Sequence, residues 1–137
     1  MSSSNNQTIL PNEVIEIDSL VKYRAVLDRF RDDLIILNFY TRSCSVCAAF
    51  KPYFYAVQKE MSGDKVVFAR VNSEFVSSVA QEFGIMAVPT TVFLKNKMEI
   101  HRVMGMYPTP QFRDVVRDVL AKFFNIKKKS TDESMFI

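Results

Sequence analysis

Leu34-Ile35-Ile36-Leu37-Asn38-Phe39-Tyr40-Thr41-Arg42-Ser43-Cys44-Ser45-Val46-Cys47 is the stretch on which the fold of this chain turns. Its first seven residues form a nearly unbroken apolar, β-prone run of strand length, the kind that suits a central strand covered on both faces. Beyond it the pattern becomes helical: Phe50, Phe54, Val57 and Met61 recur three and four apart, and Gly63 offers a stop. Pro52 lies inside that helix, where it removes a hydrogen bond and bends the axis. Both cysteines of the chain sit at the junction, in the spacing Cys-x-x-Cys. Strand, short loop, paired cysteines and helix, in that order, form the layout of a dithiol redox site.

Composition sets the outer limits. A chain of 137 residues is the size of one domain and long enough to bury a core. Its 48% hydrophobic and 24% charged residues fit a globular protein. A net charge of +3 argues for neither nucleic-acid nor membrane binding. Residues 1–11 lack the basic start and apolar core of a secretory signal, and no run reaches the roughly 18 apolar residues of a membrane helix. A cytoplasmic location is therefore expected, where two cysteines make a poor permanent staple and a good catalytic or metal-binding pair. A structural zinc site wants four ligands, and the chain offers two Cys and the lone His101, so no metal is expected.

The remaining elements follow by periodicity. Residues 1–12 read as a flexible tail and 125–137 as a charged one, the latter carrying Lys127-Lys128-Lys129. Between them, residues 13–124 read as one domain. Glu13 to Ile17 is a short strand. Asp18 or Ser19 caps a helix whose apolar face is Leu20, Tyr23, Leu27 and Phe30. Lys65 to Val71 is a strand, and Val76, Val79, Ala80 and Phe83 mark a helix capped by Asn72 or Ser73 and ended by Gly84. Thr90 to Leu94 and Glu99 to Met104 form a hairpin through Lys95-Asn96-Lys97-Met98. Thr109 caps a last helix with Pro110 at its first position and a stripe of Phe112, Val115, Val116, Val119, Leu120 and Phe123. The order βαβαβαββα predicts an α/β fold, a mixed sheet of about five strands flanked by four helices.

In this order, several features together resemble the thioredoxin family, from about Glu13 to Phe124. Cys44-Ser45-Val46-Cys47 follows the second strand, Pro52 matches the family's helix-bending proline, and Val88-Pro89-Thr90 matches its cis-proline loop. Gly105, just after the last strand, matches a family glycine beside the active site. The resemblance implies a thioredoxin fold and a protein-disulfide reductase. Cys44 would be the nucleophile at a helix N-terminus, where free N–H groups and the helix dipole stabilise a thiolate. Arg42 would add positive potential. Cys47 would resolve the mixed disulfide, so the site would cycle through a Cys44–Cys47 disulfide with no bound cofactor. Pro89, in cis, would face the dithiol and leave Val88 with a backbone edge for an extended client peptide. Val46, Ala87, Val88, Gly105 and Met106 would line an apolar rim. The implied partners are disulfide-containing client proteins and a thioredoxin-reductase-like electron donor, with the protein acting as a monomer.

The departures from the family pattern are as informative. The usual Trp-Cys-Gly-Pro-Cys is here Ser43-Cys44-Ser45-Val46-Cys47, which removes a flat contact surface and alters the residues that tune redox poise. The family often places a buried aspartate six residues before the first cysteine to help deprotonate the second thiol. Here that position is Asn38, whose amide accepts no proton at neutral pH. A slower resolving step is expected. Arg70 matches a family lysine near that aspartate, and its charge needs another partner, Glu74 or solvent. These departures keep open an oxidase, an isomerase or a reductant of one dedicated client with a different potential. A non-catalytic adaptor is disfavoured, because it needs neither cysteine.

Overall fold

The computed structural model describes residues 12–125; the expected tails, and Lys127 to Ser134 with them, lie outside that range apart from Asn12 and Asn125. Nine elements follow one another: β1 (Ile15–Ile17), α1 (Leu20–Arg29), β2 (Leu34–Tyr40), α2 (Ser45–Glu60), β3 (Val66–Asn72), α3 (Ser77–Glu82), β4 (Thr90–Lys95), β5 (Met98–Met104) and α4 (Thr109–Phe124). The expected βαβαβαββα order is the observed one.

The strands lie side by side in the order β1-β3-β2-β4-β5. β3 pairs in parallel with both β1 and β2, while β4 runs antiparallel to β2 and to β5. β2, the opening apolar run, is thus central, and its first six residues are all buried. Period-two alternation sorts the side chains into two cores. Ile35, Leu37 and Phe39 join Val67, Ala69 and Val71 under α1 and α3, where Val26, Leu27 and Val79 cover them. Leu34, Ile36, Phe68 and Phe93 face α2 and α4 and meet Phe50, Phe54 and Phe112. That second core accounts for much of the chain's Phe. Phe50 meets Phe112 edge-on at 5.2 Å, and Phe54 meets Phe68 the same way at 5.5 Å.

Local differences from the sequence reading have physical causes. Ser19, one of the two expected caps of α1, accepts the Lys22 N–H at 3.1 Å, whereas Leu20 stands exposed at the helix start. Asn72 caps the turn before α3, taking the N–H groups of Glu74 and Phe75 at 2.9 and 3.2 Å; α3 itself starts later, with no side-chain cap. Thr109 is already helical in α4, and Pro108 takes the cap position without a side-chain bond. The hairpin closes through Asn96 and Lys97 alone, both at positive φ, so β4 and β5 run one residue further on either side.

Candidate functional site

Three loops meet at the C-terminal end of β2. The first runs from β2 into α2. Its Cys44 N–H reaches the Thr41 carbonyl at 3.4 Å, which turns the chain into the helix. Cys44 is the N-cap of α2, and its sulfur occupies the place of a capping oxygen: the Cys47 N–H points at Cys44 Sγ from 3.1 Å. The two cysteines form a disulfide with Cα atoms 5.2 Å apart. Cys44 is half-buried and Cys47 is buried within the helix's first turn. Ser45 and Val46, between them, are exposed.

The second loop joins β3 to α3. The Ser73 N–H donates to the Tyr40 carbonyl at 2.9 Å, and the Arg42 N–H to Glu74 Oε1 at 3.4 Å, so this loop steadies the start of the dithiol loop. Arg42 itself is exposed at the site's edge. Glu74 meets the backbone of Arg42; the side chain of Arg70 goes elsewhere.

The third loop carries Pro89. The Val88–Pro89 bond is cis and Pro89 is buried. The Val88 carbonyl oxygen lies 3.8 Å from Cys44 Sγ, which sets that sulfur against this loop. Thr90 Oγ1 donates to the Ala87 carbonyl at 2.7 Å and stiffens the turn. Gly105, at the end of β5, donates its N–H to the Pro89 carbonyl at 2.8 Å. Its φ is +95°, a region that glycine enters freely and residues with a Cβ do not. Of the expected rim, Val88 meets Cys44 directly, Ala87 and Gly105 are hydrogen-bonded into the same loop through Thr90 and Pro89, and Val46 and Met106 are exposed. Met86 and Phe75, which sequence patterning did not single out, are exposed beside these loops. Their signal was an apolar residue in a turn segment, where neither periodicity buries it.

On the strand that leads to the dithiol loop, the sheet face toward α2 carries a polar row. Asn38 is buried, and its Nδ2 donates to Thr91 Oγ1 on β4 at 3.2 Å. Arg70, its register partner on β3, is buried too. Neither expected destination of Arg70 is the observed one: Nη1 donates to Glu16 Oε2 on β1 at 3.1 Å. The guanidinium also lies 3.6 Å from the centre of the Tyr40 ring. Glu16 accepts from Tyr40 Oη at 2.8 Å and from Tyr55 Oη of α2 at 3.4 Å. Burial first, then the bond and charge of Glu16, push the Tyr40 phenol up to about 12. No element order predicts which acid Arg70 meets until the strand order puts β1 beside β3.

Among the described residues there is no cluster of three or more Cys, His, Asp or Glu able to hold a metal ion. No described helix is long and apolar enough to cross a membrane. His101 stands exposed on edge strand β5, with its ring 5.4 Å from that of Phe93 and no part in the site.

Known proteins resemble this chain in sequence and fold. The thioredoxin family model matches residues 15–118. A thioredoxin of Malassezia sympodialis is 37% identical over 78 residues, covering 57% of this chain and 74% of its own length. The crystal structure of a thioredoxin from that organism superposes with a TM-score of 0.67 at 32% identity, over 76% of this chain and 91% of the other. A peptide-N(4)-(N-acetyl-beta-glucosaminyl)asparagine amidase of Caenorhabditis elegans is 31% identical over 93 residues, but that match spans only 15% of the relative's length.

Proposed function

Since the chain belongs to the thioredoxin family, whose paired cysteines make it a thiol–disulfide oxidoreductase, we propose that it is a protein-disulfide reductase. The observation that carries this reading is the placement of Cys44 Sγ at the cap of α2, 3.8 Å from the Val88 carbonyl oxygen. The helix N-terminus favours a thiolate at Cys44 once the dithiol is reduced. A client peptide laid along Val88 as an added strand brings its own disulfide to that sulfur.

The reaction has two steps. Cys44 thiolate attacks one sulfur of the client disulfide; a Cys44–client bond forms and the other client sulfur leaves as a thiolate. Cys47 then loses its proton and attacks Cys44 Sγ, which expels the second client thiolate. Two electrons have passed to the client, and the protein is left in the disulfide form described above. Re-reduction falls to a thioredoxin-reductase-like donor. We place this cycle in the cytoplasm, in a monomer with no bound cofactor, acting on proteins rather than on nucleic acid or membranes.

A second reading has support of its own. Asn38 puts an amide where the family often has a carboxylate, and Ser45-Val46 replaces the usual dipeptide, so the couple suits an oxidase, an isomerase or a dedicated reductant as well. The reduction potential of Cys44/Cys47, measured by equilibration with glutathione, separates the readings. A value near the about −270 mV of reducing thioredoxins supports the reductase; one near the about −120 mV of oxidising dithiol proteins supports the alternative. A Cys47→Ser variant should hold clients as mixed disulfides on Cys44, and a variant that traps none would count against both.

A further inference from the structure

Three exposed thioethers stand on or next to the segments that carry Pro89 and Gly105. Met86 is 93% exposed, Met104 67% and Met106 41%. Met86 lies two residues before Val88. Met104 pairs in register with Thr90, directly after Pro89, and Met106 follows Gly105, whose N–H holds the Pro89 carbonyl. The three therefore lie on or beside the loop whose Val88 carbonyl meets Cys44 Sγ. The other strongly exposed methionine among the described residues, Met98 at 70%, pairs with Lys95 at the opposite end of the same hairpin.

A methionine side chain is apolar and adaptable, which suits a surface that receives varied client segments. It is also oxidised readily when exposed, and the sulfoxide is polar. We infer that Met86, Met104 and Met106 form a peroxide-sensitive docking rim, whose oxidation weakens engagement of protein clients while leaving the dithiol chemistry intact. The inference rests on the client-exchange reading above. Each thioether sulfur gains the oxygen of one hydrogen peroxide and loses two electrons; the O–O bond breaks, an S–O bond forms, and the peroxide leaves as water. The Cys44–Cys47 disulfide has no thiol to lose during that step, so the modification falls on the exposed methionines, those of the rim among them.

The test starts from the full chain in its disulfide form. It is treated with hydrogen peroxide, freed of oxidant, and reduced with dithiothreitol, which restores the cysteines but not the methionines. Sulfoxide at each methionine is read by peptide mass spectrometry. Exchange rates are then measured with insulin as the protein disulfide and with hydroxyethyl disulfide as the small one. Treatment should lower the insulin rate about three- to tenfold, the scale of losing a few half-exposed apolar contacts, with the small-disulfide rate unchanged. A Met86→Leu/Met104→Leu/Met106→Leu variant, compared with itself before and after treatment, should show no change in either rate. Met98→Leu should respond as the parent does. An unchanged insulin rate with the three sulfoxides confirmed overturns the inference, and so does an equal loss in the triple-leucine variant, which keeps Met1, Met61, Met98 and Met135. Untreated protein that exchanges with insulin no faster than dithiothreitol does would overturn the client-exchange reading and this inference with it.

Discussion

Asn38 and Arg70 are register partners on adjacent parallel strands, yet each gives its polar group to a different neighbour: Asn38 to Thr91 at 3.2 Å, Arg70 to Glu16 at 3.1 Å. The buried cation is balanced from the sheet edge rather than from the strand leading to the cysteines. An uncharged amide thus stands on the strand that leads to the dithiol, and the charged pair lies toward β1. In the proposed cycle, Cys47 as the resolving thiol loses its proton without a carboxylate at position 38.

Asn38→Asp should therefore speed turnover. Burial raises a carboxyl's pKa toward neutrality, which makes it a better proton acceptor for Cys47. The gain should be severalfold in insulin-disulfide reduction, and it should fade as the pH falls and the new acid protonates. Stability should drop by about 1–3 kcal/mol, because a buried group that now favours charge replaces one already satisfied by Thr91. An unchanged or slower reduction rate would sink the idea that proton removal limits this step.

The Glu16–Arg70 pair predicts an order of stabilities. Glu16→Ala leaves Arg70 buried with its charge unbalanced, which costs about 2–3 kcal/mol, reduced from the fully buried case because Glu16 is partly in water. Arg70→Met keeps most of the apolar stem and frees Glu16 toward solvent, so it should cost less. The double variant should be more stable than Glu16→Ala alone. Urea unfolding midpoints at constant slope give the order, and a double variant less stable than Glu16→Ala would contradict it.

Much of the fold was legible because two local signals are strong here. Leu34 to Tyr40 has no polar residue but Asn38, which marks a strand covered on both faces, and the helices show their stripes at Phe50–Phe54–Val57 and Phe112–Val116–Val119. The cysteines and Pro89 follow from motif and order together. What the sequence hid is what depends on the third dimension. For Arg70 the sequence offers Glu74 or solvent; only strand order places Glu16 beside it, 54 residues away. The caps of α3 and α4 were misplaced because Asn72, Ser73 and Thr109 are all competent caps, and the choice is made by where the chain leaves the sheet. Met86 and Phe75 were overlooked because an exposed apolar side chain in a turn has no period to reveal it.

Tyr40→Phe should change stability in a pH-dependent way. The Tyr40 phenol has its folded pKa raised to about 12, by burial first and then by Glu16, above the ordinary value of 10.0. A group raised on folding stabilises fully below its unfolded pKa and loses that contribution as pH rises through the folded one. At neutral pH the variant should lose about 1 kcal/mol with the bond to Glu16. Between about pH 10 and 12 the parent should weaken as its unfolded chain ionises first, and the gap to the variant should close. Urea titrations of both proteins from neutral to alkaline pH provide the comparison, and a gap that widens above pH 10 would reverse the assignment.

Alkylation of the reduced protein tests the division of labour between the two cysteines. Cys44 is half-buried at the helix cap, where the α2 N-terminus supports its thiolate, whereas Cys47 is buried one turn inside. Both the exposure and the field favour Cys44, and the two effects act on the same rate. Iodoacetamide at neutral pH should modify Cys44 on the order of tenfold faster or more, as separate peptides in mass spectrometry would record. Arg42→Ala should slow Cys44 modestly, and more at low salt than at high, because Arg42 is exposed and its charge is screened. A reagent that reached Cys47 first would reverse the roles of attacking and resolving thiol, and with them the direction in which a client must approach along Val88.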